Sequence, residues 1–223
     1  MYNGGKNGSG VAQWIINQIP PHQVYIEAFT GSATIARLKR PAERTILIEA
    51  DRAQAERLQN EDGWVVMNGD ALHFLPALGN LNPAEAKFIY CDPPYLFSTR
   101  SGGTSPIYKH EFGTAHQHRQ LLSLLLTIAA PIAISGYASP LYTEMLHGWR
   151  CTTFNTTKRS GAPATECLWT NYPEPTRLHD YSFLGANFRE RERIKRKQAR
   201  WRHRLATMNA TERYAMLSVI GEL

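Results

Sequence analysis

Short apolar runs alternate along the chain with amphipathic stretches, and this pattern predicts an α/β protein. The apolar runs predict strands at 24–26, 45–49, 64–67, 88–91 and 131–135. The amphipathic stretches predict helices at 11–19, 34–39, 52–60, 120–130 and 139–146. Strands that alternate with helices form parallel sheets with right-handed crossovers, so the sheet is predicted to be mostly parallel. Two alternating segments, 151–157 and 166–170, predict a hairpin at the sheet edge.

The pattern changes from residue 178 onwards. Ile194, Trp201, Leu205 and Met208 follow helical spacing and predict one apolar stripe with basic residues on the other faces. Asn209, three residues before a glutamate, predicts the start of a last helix over 210–220. We therefore expect two parts, an α/β domain over 1–177 and a basic helical C-terminal extension over 178–223.

Positive charge is concentrated in that extension. The chain carries a net charge of +6, yet residues 189–204 alone hold nine Lys or Arg against two Glu, or +7. A nearly neutral body with a strongly basic segment indicates a polyanionic partner. An ordinary amphipathic helix with a solvated charged face is the alternative, and it explains the stripe but not the excess of charge.

The segment 87–95, Lys-Phe-Ile-Tyr-Cys-Asp-Pro-Pro-Tyr, carries the candidate chemistry. Pro93 and Pro94 cannot continue a strand ladder, so the strand must end at Asp92. Ligands of open α/β sheets bind at the carboxyl ends of the strands. There, Asp92 and the carbonyl of Pro93 offer hydrogen-bond acceptors and Tyr95 offers an aromatic face, which together suit a flat ring with an exocyclic amine, such as adenine.

Asp92-Pro-Pro-Tyr95 resembles the catalytic motif of amino-group DNA methyltransferases, and Gly4-Gly5-Lys6 resembles the first motif of bacterial and phage DNA adenine methyltransferases. The resemblance implies a Rossmann-like methyltransferase fold, S-adenosylmethionine as cofactor, and catalytic roles for Asp92, Pro93, Pro94 and Tyr95. It also implies that Lys6 lies near the cofactor carboxylate and that Tyr2 lines the same site.

Strand ends supply the other expected cofactor contacts. The turn after the first strand contains Gly31, where a ligand can approach the backbone. Glu49 ends the second strand and suits two ribose hydroxyls, with Asp51 as the alternative. Asp70 is expected either at the adenine amino group or as a helix cap. The full expected cofactor set is Tyr2, Lys6, Glu27, Phe29, Gly31, Glu49, Asp70 and Asp92.

The implied reaction is methylation of adenine N6 in double-stranded DNA, with the target base flipped out of the helix. Only 21 residues separate Asp70 from Asp92, which leaves no room for an inserted recognition domain and predicts a short or relaxed target site. Methylation of RNA adenine and a nucleic-acid-binding protein with a vestigial catalytic fold are the alternatives. The expected nucleic-acid contacts are Lys109, Arg193, Lys195, Arg196, Lys197, Arg200 and Arg202. A partner nuclease, as in restriction-modification, is possible but not indicated.

Composition excludes several other classes of protein. With 223 residues, 43% of them hydrophobic, the chain suits one substantial domain, and it has no apolar run long enough to span a membrane. Its start lacks the apolar segment of a signal peptide. Three widely spaced cysteines indicate a reducing cytoplasm and neither a disulfide framework nor a zinc site. His116 and His118 are expected in a solvated helix start, and no metal is expected.

Overall fold

The structure is a computed structural model that describes residues 6, 10–60, 63–79, 81–100, 109–157 and 163–222. Its strands are β1 (Val24–Ala28), β2 (Arg44–Glu49), β3 (Trp64–Asn68), β4 (Lys87–Cys91), β5 (Ile132–Gly136), β6 (Arg150–Thr157) and β7 (Pro163–Thr170). Its helices are α1 (Val11–Ile16), α2 (Thr34–Leu38), α3 (Arg52–Gln59), α4 (Ala71–Gly79), α5 (Ala115–Leu125), α6 (Pro140–Met145), α7 (Phe188–Thr207) and α8 (Ala210–Gly221).

All seven strands form one sheet in the order β3-β2-β1-β4-β5-β7-β6. The pairs among β1 to β5 are parallel, whereas β7 runs antiparallel to both β5 and β6. The predicted mostly parallel sheet and the predicted edge hairpin are therefore both confirmed. This order, with a single reversed strand beside the edge, is the Rossmann-like methyltransferase fold.

The two faces of the central strands differ in chemistry because side chains alternate along a strand. One face, with Ile26 and Ala28 of β1 and Ile89 of β4, packs into the main apolar core together with α4 and α5. The other face places Glu27 of β1 and Ser135 of β5 in buried positions, so it is partly polar. A fully buried aliphatic side chain stabilises the folded state by about 1.5–3 kcal/mol. Packing of the apolar face therefore stabilises the sheet that carries the polar face.

Some elements differ from the predicted ones for identifiable reasons. Helix α4 was expected only through the alternative that Asp70 caps a helix, and it forms although it contains Pro76, which cannot donate a helical hydrogen bond. Helix α5 begins at Ala115, five residues earlier than predicted, because Thr114 and Gln117 form a capping box. The expectation of a solvated histidine pair is wrong for His118, which is buried and whose Nδ1 lies 2.8 Å from the hydroxyl of Tyr142.

The chain divides into two compact units, residues 1–180 and 181–223. The second contains α7, capped by Asn187, and α8, capped by Asn209 as the sequence predicts. No residue of these two helices is buried, and Trp201 of the predicted stripe is 47% exposed. The functional division expected at 177/178 stays a prediction. Among the described residues, no helix is both long and apolar enough to cross a membrane.

Candidate active site

The carboxyl ends of the parallel strands meet at one edge of the sheet. Register places Ala28 of β1 beside both Ile48 of β2 and Cys91 of β4, and Cys91 beside Ile134 of β5. The residues that follow these strands are therefore neighbours in space. Because β7 is antiparallel to β5, its middle part reaches the same edge, where Cys167 pairs with Gly136.

Asp92 follows β4 directly and lies in a polar pocket at this edge. Its Oδ1 accepts a hydrogen bond from the hydroxyl of Ser135 at 2.7 Å and lies 3.0 Å from Nζ of Lys6. Its side chain is 17% exposed, and Oδ2 has no hydrogen-bond partner among the described residues. Burial raises the pKa of Asp92, while the ammonium of Lys6 opposes that rise. One carboxylate oxygen is thus fixed and the other is left for a ligand.

The ammonium of Lys6 lies at the centre of a buried cluster. Its Nζ is 2.7 Å from the hydroxyl oxygen of Tyr95, 2.9 Å from Oε2 of Glu166 and 3.0 Å from Oδ1 of Asp92. An ammonium has three N–H donors, so these three acceptors match them in number. The contact expected between Lys6 and the cofactor carboxylate stays a prediction. In the structure, Lys6 binds the side chains of Asp92, Tyr95 and Glu166.

Tyr95 closes one side of this pocket. Its ring centroid lies 4.6 Å from that of Tyr137, which follows β5, with 59° between the two ring planes. Pro93 before it is buried and Pro94 is half-buried, which holds the turn rigid. Beyond the Tyr137 ring lies an open groove lined by Ser98, Thr99, Tyr137, Ala138, Ser139, Pro140, Pro163, Ala164 and Thr165. Tyr137 therefore borders both the ring of Tyr95 and this groove.

Two hydrogen bonds fix the chain that follows Tyr95. Nε of Arg100 donates to the carbonyl of Tyr95 at 2.7 Å, and its Nη2 pairs with Glu111 at 2.8 Å. Close packing adds to this, because a Cβ placed on Gly113 would lie only 2.4 Å from the ring of Phe97. These contacts hold the backbone on the C-terminal side of Tyr95 in place.

The turn after β1 has an unusual backbone. Phe29, Gly31 and Ala33 all have positive φ, at 59°, 56° and 53°. This conformation is uncommon for residues other than glycine, and such strain concentrates at functional sites. The turn is held by Thr30, whose hydroxyl donates to the carbonyls of Glu27 and Ile48 at 2.8 and 3.1 Å. Its amide groups are thereby held beside the ends of β1 and β2.

Glu49 faces this turn from the end of β2. Its Oε2 accepts from the amide of Gly31 at 2.7 Å, and its Oε1 accepts from the amide of Asp51 at 2.8 Å. Burial raises the pKa of Glu49. A carboxylate has about four acceptor positions, so each oxygen retains one for a hydroxyl pair. The free acceptor positions of Glu49 therefore fit the two hydroxyl groups of a nucleoside ribose.

The alternative ribose ligand, Asp51, is already engaged. Its Oδ1 caps α3 through the amides of Ala53 and Gln54, and its Oδ2 pairs with Lys109 at 3.0 Å. The hydrogen bond from Lys109 lowers the pKa of Asp51. This geometry favours Glu49 over Asp51, and it places Lys109 beside the expected cofactor corner.

Asp70 and Glu27 have structural contacts at the same edge. Oδ1 of Asp70 accepts from the amide of Leu72 at 2.9 Å, so Asp70 caps α4 while remaining exposed. Glu27 is buried, and its Oε2 accepts from the hydroxyl of Tyr25 at 2.7 Å and from the amide of Ala36 at 3.2 Å. Burial, with a smaller effect from Asp92, raises the pKa of Glu27 to about 7. Cofactor roles for both acids remain predictions.

The remaining expected residues are less closely grouped. Tyr2 lies outside the described residues, as does the segment 101–108. The other expected nucleic-acid contacts, Arg193, Lys195, Arg196, Lys197, Arg200 and Arg202, are exposed along α7. Two of these basic residues have acidic neighbours on that helix, at 3.6 Å for Glu190–Arg193 and 3.7 Å for Glu192–Lys195. In the described part of the chain, no group of acids, histidines and cysteines could hold a metal ion.

Two residues of the site were not singled out from the sequence. Ser135 lies near the end of the buried strand β5 and donates to Asp92, and Glu166 of β7 accepts from Lys6. The sequence predicts only a strand over 166–170, without a site role for Glu166. The available signal was a glutamate placed directly before the apolar residues Cys167, Leu168 and Trp169 of a predicted strand, where an acid needs a partner.

Comparisons with known proteins give only distant similarities, several of them to proteins named as methyltransferases. No protein-family model and no curated protein matches the chain. Among solved structures, it is similar to a putative RNA methyltransferase from Pyrococcus horikoshii, with 14% identity over 76% of this chain and 83% of that one and a TM-score of 0.47. It is also similar to the 23S rRNA methyltransferase ErmE, with 12% identity over 85% and 83% and a TM-score of 0.46. At these scores the fold is assigned from the strand order and the reversed β7, and not from the matches.

Proposed function

We propose that this protein transfers a methyl group from S-adenosylmethionine to the N6 amine of adenine in DNA. The observation that carries the proposal is the carboxylate of Asp92. One of its oxygens is fixed by Ser135 and Lys6, and the other is without a partner among the described residues; Lys6 also binds the hydroxyl of Tyr95. An acceptor and an aromatic face at a strand end suit an aromatic amine.

The chemistry of that amine explains why an acceptor is needed. The lone pair of an adenine N6 is delocalised into the ring, so the nitrogen is a weak nucleophile. In the proposed arrangement Asp92 and the carbonyl of Pro93 accept the two N–H groups and draw the nitrogen towards a tetrahedral form. Tyr95 holds the ring in line. Preorganised acceptors of this kind act through electrostatics and positioning, and no metal is required.

The expected cofactor suits the strand ends beside Asp92. When bound, S-adenosylmethionine supplies an electrophilic methyl group on a sulfonium. Glu49 would hold the ribose hydroxyls, and the strained turn at Phe29 and Gly31 would let the ligand approach the backbone. Asp70 would use its second oxygen, since the first caps α4. Burial of the reacting groups at this edge limits their access to water.

The nucleic-acid partner is proposed to be double-stranded DNA with the target adenine flipped out. The basic extension, 178–223, would bind phosphates through α7, and the α/β domain, 1–177, would perform the reaction. Few side chains are available to read base edges, so we expect a short or relaxed target site. Methylation of RNA adenine is the competing activity, and the test below separates the two.

The decisive experiment measures transfer of labelled methyl groups to matched DNA and RNA substrates. The wild-type protein should methylate adenine-containing duplex DNA, with N6-methyladenine identified in the digested product. Asp92→Asn should abolish turnover, because an amide side chain cannot replace the carboxylate that accepts the N6 hydrogen. Binding of S-adenosylmethionine should be retained in part. Transfer to RNA alone would replace the DNA proposal with its rival.

Asp180→Asn provides a matched control. Asp180 is also buried, but its carboxylate accepts from the amide of Arg40, which precedes β2 at the opposite edge of the sheet. The control should retain turnover at a temperature where both variants are folded. An Asp92→Asn protein with most of its turnover would refute the assignment of the active site.

A further inference from the structure

The cluster around Lys6 contains one acid more than a simple ion pair needs. Lys6 is 7% exposed, and it contacts the carboxylates of both Asp92 and Glu166 within 3.0 Å. Glu166 is itself buried, with a side chain that is 6% exposed. Burying a charge without a partner is costly, so a second buried carboxylate at this position needs a reason.

The charges of this cluster do not cancel. One ammonium and two carboxylates leave a net charge of −1 in a largely buried site, and the negative charge of Asp92 also raises the pKa of Glu27 on β1. Burial lowers the pKa of Lys6, but Asp92, Tyr95, Tyr90 and Glu166 together outweigh it, so the pKa lies well above its ordinary value. Lys6 therefore stays protonated, and Asp92 is stabilised without the whole cluster becoming neutral.

We propose that Glu166 is a positioning residue for the methyl transfer and acts through Lys6. This inference rests on the proposed function. Glu166 holds the ammonium at a fixed place, from which Lys6 orients Oδ1 of Asp92 and the hydroxyl of Tyr95 at the same time. Oδ2 of Asp92 is then kept for the amine, and the aromatic platform is set relative to it.

The excess negative charge has a second effect on the reaction. As the nitrogen lone pair forms the N–C bond, the S–C bond breaks with its electrons passing to sulfur, and the nitrogen becomes cationic. One N–H proton then leaves, through the carboxylate of Asp92 to solvent. A cluster that carries −1 favours this cation, whereas an isolated Lys6–Asp92 pair would be neutral.

Removal of the charge at Glu166 gives a direct test in the full-length protein. Glu166→Gln keeps an oxygen that can accept from Lys6 but removes the negative charge. We expect kcat on an adenine-containing DNA duplex to fall by about 100-fold, comparable to the cost of misplacing a reacting group by about 1 Å. The KM for S-adenosylmethionine should change less than kcat does, because Glu166 reaches the expected cofactor set only through Lys6.

The pH profile provides a readout that a purely structural role would not move. Because the charge of Glu166 raises the pKa of Asp92, the acid limb of the kcat profile should shift to lower pH in Glu166→Gln. In the ligand-free protein, an NMR titration of labelled lysine should show that the pKa of Lys6 falls. Glu174→Gln, which neutralises an exposed glutamate, should change neither quantity.

A second variant separates charge from hydrogen bonding. Glu166→Asp retains the charge with a shorter reach and should recover part of the lost kcat. A kcat that stays high in Glu166→Gln and falls in Glu166→Asp would reduce the role of Glu166 to a hydrogen bond and overturn the proposal. Unchanged kcat and an unmoved acid limb in a folded Glu166→Gln protein would also overturn it. A wild-type protein that methylates neither DNA nor RNA would instead overturn the proposed function, and the positioning role of Glu166 with it.

Discussion

Glu27 should make the stability of this protein fall as the pH rises towards neutrality. The side chain is 3% exposed, and burial raises its pKa from 4.5 to about 7. At 1.36 kcal/mol per pKa unit, this difference corresponds to about 3 kcal/mol. Between these two values the folded protein binds more protons at Glu27 than the unfolded chain does, so the free energy of unfolding decreases with pH. The contribution is complete below about pH 4.5 and is lost as the pH passes through about 7.

Glu27→Gln isolates this contribution. The amide oxygen of glutamine can accept from both the hydroxyl of Tyr25 and the amide of Ala36, so the variant imitates the protonated acid. Urea unfolding of both proteins at several values between pH 4.5 and 8 gives the two free energies. We expect the variant to gain about 3 kcal/mol relative to wild type over that range. Asp92 also titrates, but it is present in both proteins and largely cancels in the difference.

A surface variant calibrates the measurement. Glu56→Gln changes an exposed glutamate of α3 that pairs with Arg52, and its difference from wild type should be nearly constant with pH. A flat difference for Glu27→Gln as well would show that the buried carboxyl is solvated or paired in solution. The argument that burial raises the pKa of Glu27 would then be wrong, and so would the view that the polar face of the sheet excludes water.

Glu49→Gln should weaken binding of S-adenosylmethionine by about 1–3 kcal/mol in calorimetry, the value of a charge-assisted hydrogen bond, whereas Asp51→Asn should have the smaller effect. Equal effects would contradict the assignment of Glu49 as the ribose ligand. Gly113→Ala should lower the free energy of unfolding by about 1–3 kcal/mol and reduce turnover, because the added methyl would collide with the aromatic ring packed on it. Gly148→Ala, with open space around it, is the matched control and should be nearly neutral. Glutamine at all three basic positions of 195–197 should flatten the salt dependence of DNA binding by up to about three in log–log slope, without changing which adenines are methylated. A shifted methylation map with an unchanged slope would make α7 a reader of sequence.

Local sequence determined the elements that build the candidate site. The turn at Asp92-Pro-Pro-Tyr95 follows from the two prolines, which end β4 wherever the strand is placed. Apolar runs identified the buried parallel strands, and Asn209 identified the start of α8, because both signals depend on residues only a few positions apart. At α4 the local signal was weaker, because a helix cap at Asp70 was only one of two alternatives, and packing of the leucines into the core outweighs the helix-breaking tendency of Pro76.

Tertiary structure alone decided which charges meet. Lys6 and Glu166 are 160 residues apart in sequence, yet their side chains form an ion pair at 2.9 Å. That contact depends on β7 running antiparallel to β5 in one register, and a slip by one residue would turn Glu166 to the opposite face of the sheet. The sequence identified Asp92 as the acid that directly follows β4. It could not show that this acid shares its lysine with a second carboxylate, because strand order and register are properties of the whole sheet.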